Sequence, residues 1–312
     1  MTKVFIDGSA GTTGLRIYER LSCRNDIELI KISEEYRKDT KVRREALNEA
    51  DLAFLCLPDA AAIETEKLLE NENTIIIDTS TAHRTNDKWT YGFPEIADFR
   101  EKIKSSKRIA NPGCHASGFI SLIAPLREND LIKADASLTC FSITGYSGGG
   151  KKMIAEYEDP KRDKVYKAPR QYALGQSHKH LPEMTKICNL EKAPVFCPVV
   201  ADFYSGMEVT VSLFAKDIKG NIEDIKEIYK DYYKSGIVSY IEGGDESGFM
   251  SAGKLAGYDD MQISVSGNDE RIILISRFDN LGKGASGSAI QNMNICLSLP
   301  ENTGLKLYGG IR

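Results

Sequence analysis

A glycine loop between a strand and a helix constrains this chain more than any other feature. Residues 3–7 (KVFID) alternate as a strand does, residues 8–14 (GSAGTTG) carry three glycines, and residues 15–21 (LRIYERL) space their apolar side chains as a helix does. Gly8, Gly11 and Gly14 read G-x-x-G-x-x-G rather than G-x-G-x-x-G, but strand, loop and helix are the setting a dinucleotide fingerprint needs. Small residues there, Ser9, Thr12 and Thr13 among them, let the backbone approach a pyrophosphate, and the helix start offers free N–H groups and a partial positive charge. A plain glycine-rich turn has the same composition, so the segments that follow decide.

Residues 27–32 (IELIKI), 52–57 (LAFLCL) and 74–80 (TIIIDTS) are apolar runs of strand length, and 60–70 (AAAIETEKLLE) has helical character between them. Alternating strands and helices with near-continuous apolar strands predict a parallel sheet covered on both faces. The fold class expected is therefore α/β, a doubly wound Rossmann-type sheet. Ligands in such folds sit at the carboxyl ends of the strands, where Pro58 (in LPD, 57–59) and the stretch DTSTAHR (78–84) fall.

The choice of dinucleotide turns on residues 33–44 (SEEYRKDTKVRR). Glu34 and Glu35 stand where an NAD-binding acid is usual, whereas Ser33 and Arg37, with Lys38, Arg43 and Arg44 nearby, suit a 2′-phosphate. A solvated charged helix accounts for the same run. The reading taken is NADP.

The second half differs. Residues 136–143, 208–215, 261–267 and 271–279 alternate apolar and polar side chains, which suits a mostly antiparallel sheet with one covered face, and 221–234 reads as an amphipathic helix packed on it. An α+β domain is expected there.

Between the halves lies ANPGCHASG (110–118). Pro112 and Gly113 force a turn, and 115–126 carries apolar residues at helical spacing, so Cys114 is expected at a helix start, where the dipole favours the thiolate. A thiolate attacks acyl carbon, and beside a nicotinamide that predicts a thioester reduced by hydride. Proton donors are offered by GQSHKHLPEM (175–184), with His178, His180 and Glu183. The two histidines also have a spacing open to a metal, but no third ligand stands nearby, and no metal is assigned.

Bulk properties narrow the class further. The 312 residues suit two domains, and a net charge of −4 with interspersed signs argues against nucleic acid or an anionic membrane as partner. No apolar run reaches the roughly 18 residues of a membrane span. The first residues enter a strand with no signal-peptide pattern, and seven scattered cysteines without metal spacing suit a reducing cytosol, so a cytoplasmic location is expected.

The segments GSAGTTG, CLPDAAA, DTSTAHR, YGFPE, NPGC, GYSGGGK, HKHLPE and NLGKGASGSAIQNMN, running in order from residue 8 to 294, resemble the short form of the N-acetyl-gamma-glutamyl-phosphate reductase family. That family shares its architecture with the aspartate-semialdehyde and glyceraldehyde-phosphate dehydrogenases. The resemblance implies NADPH-dependent reduction of N-acetyl-L-glutamyl 5-phosphate to the 5-semialdehyde with release of inorganic phosphate, in arginine biosynthesis. It implies Cys114 as nucleophile, His178 as acid/base partner, and Tyr172, His180, Glu183 and the anion-contacting Arg84 at the substrate. It places residues 145–151 along the site and Gly284, at the start of a helix over 284–299, near the nicotinamide. It implies a discontinuous NADP domain (1–113 and 284–312), a catalytic and oligomerisation domain (114–283), and a homodimer or homotetramer. His115 departs from the aromatic usual after the cysteine, and is either an extra charge beside the thiolate or inert. The same chemistry on an aminoadipyl or aspartyl phosphate, and a dinucleotide sensor without catalysis, are the alternatives; intact NPGC and HKHLPE argue against the sensor.

Overall fold

The computed structural model describes residues 1–234 and 236–309; Ser235 and 310–312, which the expected domains include, lie outside the described residues. The chain divides into two compact units. The first comprises Met1–Pro94, Asp98–Pro112 and Ala285–Leu305; the second comprises Glu95–Ala97, Gly113–Gly284 and the residues from Lys306 on.

In the first unit the apolar runs become β1 (Thr2–Asp7), β2 (Ile27–Ile30), β3 (Leu52–Leu55), β4 (Ile75–Asp78), β5 (Thr90–Tyr91) and β6 (Arg108–Ala110). They pair in the order β2-β1-β3-β4-β6-β5, all parallel. The connections are α1 (Thr12–Leu21), α2 (Thr40–Glu49), α3 (Asp59–Glu66) and α4 (Phe99–Ser105). Both sheet faces are covered, which is why the strands lack polar alternation. Val4, Ile6 and Phe54 pack with Ile17 and Leu21 of α1, while Phe5 and Ala53 turn the other way onto Ala46 and Leu47 of α2.

The second unit opens with α5 (Cys114–Glu128), which is followed by β7 (Thr139–Gly145), α6 (Gly150–Glu158), β8 (Arg170–Gln171), α7 (Leu181–Ile187), β9 (Val195–Ala201) and β10 (Met207–Phe214). Then come α8 (Ile222–Tyr232), β11 (Val238–Tyr240), β12 (Met261–Gly267) and β13 (Arg271–Phe278). The sheet order is β11-β12-β13-β10-β7-β9-β8. The pairs β11–β12 and β7–β9 are parallel and the rest antiparallel, so the sheet is mixed but mostly antiparallel. One face is buried: Val209, Val211, Ile272 and Leu274 are closed off, while Phe141, Phe214 and Ile273 on the opposite face stay exposed. α8 is held at its start by a capping box between Asn221 and Asp224.

The last helix differs from the sequence expectation of 284–299. One π-helical turn, Gly282–Ser286, precedes α9 (Gly287–Cys296). α9 belongs to the first unit, where Ala289, Ile290 and Met293 join the core against β1, β3 and β4. Residues 306–309 return to the second unit; the Lys306 and Tyr308 N–H groups donate to the carboxylates of Asp259 and Asp260.

Candidate active site and dinucleotide cleft

In the first unit a cleft of about 440 Å³ opens at the carboxyl ends of β1 and β2. Gly8, Ser9 and Ala10 form one wall, Leu29–Ile32 another, and Glu34, Arg37, Lys38 and Arg43 the rim. Gly8 has φ +86°, and a Cβ there would collide with the Cys56 carbonyl oxygen; a Cβ on Gly14 would collide with the Gly8 carbonyl oxygen. The loop is thus a cradle that side chains would fill, which fits a pyrophosphate. Gly11 caps α1 with no side-chain bond to the first N–H groups, and Thr12 and Thr13 form the first turn.

The remaining cleft candidates fall unevenly. Arg37 lies on the rim, ion-paired to Glu34 at 2.5 Å. Ser33 is exposed in the turn beyond β2, its carbonyl accepting the Tyr36 N–H at 3.0 Å. Pro58 caps α3, and its neighbours Leu57 and Ala61 line the cleft. Arg43, one of the cations grouped above with a 2′-phosphate, instead grips the buried Asp7 carboxylate (Nη2–Oδ2 2.7 Å, Nε–Oδ2 3.1 Å) and also Thr65. It fixes the end of β1 just before the glycine loop.

Arg84 is buried. Its Nε donates to the Asn111 carbonyl at 2.9 Å and its Nη2 to the Thr79 carbonyl at 3.0 Å, so these N–H groups brace the turn that leads to Cys114. His83 is also structural in setting: it stacks on Trp89 at 4.0 Å, with Nδ1 2.7 Å from the buried Asp78 carboxylate.

In the second unit Cys114 is the first residue of α5, capped by Gly113 in extended conformation with no side-chain cap. It is partly accessible. Gly284, expected at the cofactor, packs here on the Cys114 side chain: a Cβ would stand 2.9 Å from the Cys114 Cβ. Glu183, almost fully buried on α7, accepts the Gly113 N–H at 3.2 Å, and its other oxygen lies 3.9 Å from His180 Nε2. The carboxylate thereby anchors the residue that precedes the thiol. His178 Nδ1 accepts the His180 N–H at 3.2 Å, which places the His178 ring proton on Nε2.

His115 points away from solvent among rings: His178 at 5.8 Å, His180 at 5.6 Å and Phe196 at 5.3 Å between centroids. Its Nδ1 meets Ser142 Oγ at 2.7 Å and its Nε2 the Tyr172 hydroxyl at 2.7 Å. Burial, with His178 beside it, pushes His115 down to about 3, so it is neutral at pH 7. It is no extra charge beside the thiolate. Burial and the negative charge of Cys114 raise Tyr172, which stays a protonated donor. Among the described residues no group of three or more His, Cys, Asp or Glu is placed to hold a metal ion.

Residues 3–106 match the family described as semialdehyde dehydrogenase, NAD binding domain, and residues 114–280 match semialdehyde dehydrogenase, dimerisation domain. N-acetyl-gamma-glutamyl-phosphate reductase of Sinorhizobium medicae is 42% identical over 306 residues, covering 95% of this chain and 99% of that one. The Brucella anthropi protein of the same name is 43% identical, covering 95% and 98%. The chain belongs to the N-acetyl-gamma-glutamyl-phosphate reductase family. The fold of this family member is shared with solved structures of low identity. Aspartate semialdehyde dehydrogenase II of Vibrio cholerae has a TM-score of 0.72 at 15% identity, covering 96% of this chain and 98% of that one. The Candida albicans aspartate semialdehyde dehydrogenase solved with NADP has a TM-score of 0.68 at 17% identity, covering 97% and 99%.

Two groups of this family member escaped the sequence reading. Ser142 sits in an alternating strand as one polar residue among several, with nothing local to mark it. Lys283 and Glu95, 1% and 2% exposed, form a buried ion pair with both carboxylate oxygens within 2.8 Å of Nζ. A lysine within the apolar and glycine-rich stretch 280–287 was the available signal.

Proposed function

We propose that this chain reduces N-acetyl-L-glutamyl 5-phosphate to N-acetyl-L-glutamate 5-semialdehyde with release of phosphate, a step of arginine biosynthesis in the cytoplasm. The observation that carries the reading is Cys114 as the uncapped first residue of a fifteen-residue helix, with Tyr172, His178, His180 and Glu183 around its start. Cys114 Sγ attacks the acyl carbon, the C–O bond to phosphate breaks, and a thioester remains on the sulfur. Bound NADPH supplies the hydride. The α5 N–H groups, the Tyr172 hydroxyl and His178 Nε2–H donate to the oxygen on which negative charge develops, and His178 carries the proton exchanged there. Collapse of the thiohemiacetal returns the thiolate and frees the aldehyde. Glu183 holds Gly113 and hence the sulfur; Arg84 braces the preceding turn and takes the anionic end of the substrate.

NADP is held by Gly8–Gly14 at its pyrophosphate and by Arg37 with Lys38 at its 2′-phosphate, with Ser33, Pro58 and Gly284 as further contacts. The first unit is the dinucleotide domain and the second the catalytic one. A second copy covers the exposed face carrying Phe141, Phe214 and Ile273, giving a homodimer or homotetramer. Among the described residues no helix is long and apolar enough to cross a membrane.

The deciding assay is phosphate-dependent reduction of NADP⁺ with N-acetylglutamate 5-semialdehyde, aspartate semialdehyde and the aminoadipate analogue in parallel. The expected result is a kcat/KM at least about tenfold higher for the first, the scale of one mismatched group in a pocket. Preference for another semialdehyde moves the substrate, and binding of NADPH without any turnover makes the chain a sensor. The cofactor is tested by Arg37→Ala/Lys38→Ala. Removing both cations lowers kcat/KM for NADPH by about 10- to 100-fold, the range of one or two charge-assisted bonds, with little change for NADH. Equal losses with both nucleotides would remove these residues from the 2′-phosphate.

A further inference from the structure

His115 stands directly after the nucleophile, yet it is buried and neutral, so it takes no part in proton transfer. Its two ring nitrogens are both engaged, and a neutral imidazole has one donor and one acceptor. The neighbours decide which is which. Ser142 is fully buried on β7, and among the described residues its hydroxyl has one hydrogen-bond partner, His115 Nδ1 at 2.7 Å. A hydroxyl has one proton and two lone pairs. A buried proton left without an acceptor is costly, whereas an unused lone pair is tolerated. Ser142 therefore donates to Nδ1, the ring proton lies on Nε2, and His115 donates to the Tyr172 oxygen at 2.7 Å. With that oxygen acting as acceptor, the phenolic proton has to point elsewhere. The Tyr172 hydroxyl has no second hydrogen bond among the described residues, and the charge of Cys114 bears directly on it.

We propose that Ser142, His115 and Tyr172 form a one-way hydrogen-bond relay that turns the Tyr172 O–H into the thiol site as a fixed donor to the carbonyl oxygen of the acyl substrate. Tyr172 is the catalytic residue and His115 and Ser142 are positioning residues. The relay moves no proton; it sets a direction. The donor role rests on the reductase reading given above.

The test uses the full chain and two readouts. The first is the ¹⁵N-resolved spectrum of His115 between pH 6 and 8, expected to show a neutral ring protonated at Nε2 throughout, and to lose that single form in Ser142→Ala. The second is kinetic. Tyr172→Phe is expected to lower kcat by about 10²-fold, the loss seen when one oxyanion donor is removed. His115→Phe is expected to lower kcat by about tenfold, with KM for the semialdehyde within about twofold. The double variant falls no further than Tyr172→Phe, because a group that acts only through Tyr172 has nothing left to position. His115→Gln, whose side-chain amide keeps an N–H near the Nε2 position, retains more activity than His115→Phe. Ring protonation at Nδ1, multiplied losses in the double variant, or equal loss in the Gln and Phe variants overturns the relay. A wild-type chain that binds NADPH but turns over no semialdehyde overturns the reductase reading and with it the donor role, and the spectrum then decides the relay alone.

Discussion

Cys114→Ser lowers kcat for phosphate-dependent semialdehyde oxidation by at least about 10³-fold and leaves the NADPH dissociation constant within about twofold. The change is one atom, so packing against Gly284 and the cap at Gly113 persist. What is lost is the anion. A thiol with an ordinary pKa near 8.5 needs only a modest push from a helix start to ionise, whereas a hydroxyl stays protonated under the same field. The cleft proposed for the pyrophosphate and the 2′-phosphate is lined by first-unit residues between Phe5 and Ala61. Binding and chemistry therefore separate, and a fluorescence titration with NADPH beside the turnover assay reads both. Four other thiols are poor substitutes: burial pushes Cys56 and Cys296 up to about 12 and raises Cys140 and Cys188 as well. Turnover within tenfold of the wild type would remove Cys114 from the chemistry.

The parts of this molecule that were legible in the sequence are those whose cause is local. β1 to β4 follow from apolar runs, α1 from its spacing, and Cys114 at the first position of α5 from Pro112 and Gly113 two residues before it. β9 was not legible, although VFCPVVA is apolar enough. Pro198 has no N–H to give a neighbour and argues against a central strand. The structure tolerates it because β8 is two residues long and pairs only with Val199 and Val200. The start of α9 was misplaced by three residues because the π-turn at 282–286 is held by a contact with Glu95, 188 positions away. His115 is the clearest case. Its neutrality comes from burial and from His178, 63 residues downstream, and its ring nitrogens meet Ser142 and Tyr172, 27 and 57 residues downstream; no pattern around residue 115 encodes their convergence. Chemistry-bearing types could be picked out one by one, but their protonation came only with the neighbours that the fold supplies.

Lys283→Met has the largest expected effect on stability, roughly 3–5 kcal/mol, because it leaves the Glu95 carboxylate buried and without its cation. Both side chains are closed off from water, so the charge has no solvent to fall back on. Adding Glu95→Gln restores most of the loss, since a neutral amide in place of the carboxylate carries no uncompensated charge; a buried pair replaced on both sides is often nearly neutral. The single change also reaches the chemistry. Lys283 sits in the π-turn whose next residue, Gly284, packs on Cys114, so a relaxed turn is expected to displace the sulfur and lower kcat in step with stability. The two units need separate probes. The chain has one tryptophan, Trp89, buried in the first unit, whereas the ion pair belongs to the second. Loss of second-unit structure is followed by far-UV circular dichroism, with Trp89 fluorescence reporting the first unit. A dichroism midpoint that falls in Lys283→Met and recovers in the double variant supports the strut. A single variant as stable as the wild type would mean that the Glu95 carboxylate gains a proton or water on losing its partner, and that the ion pair is not what holds the turn against the thiol.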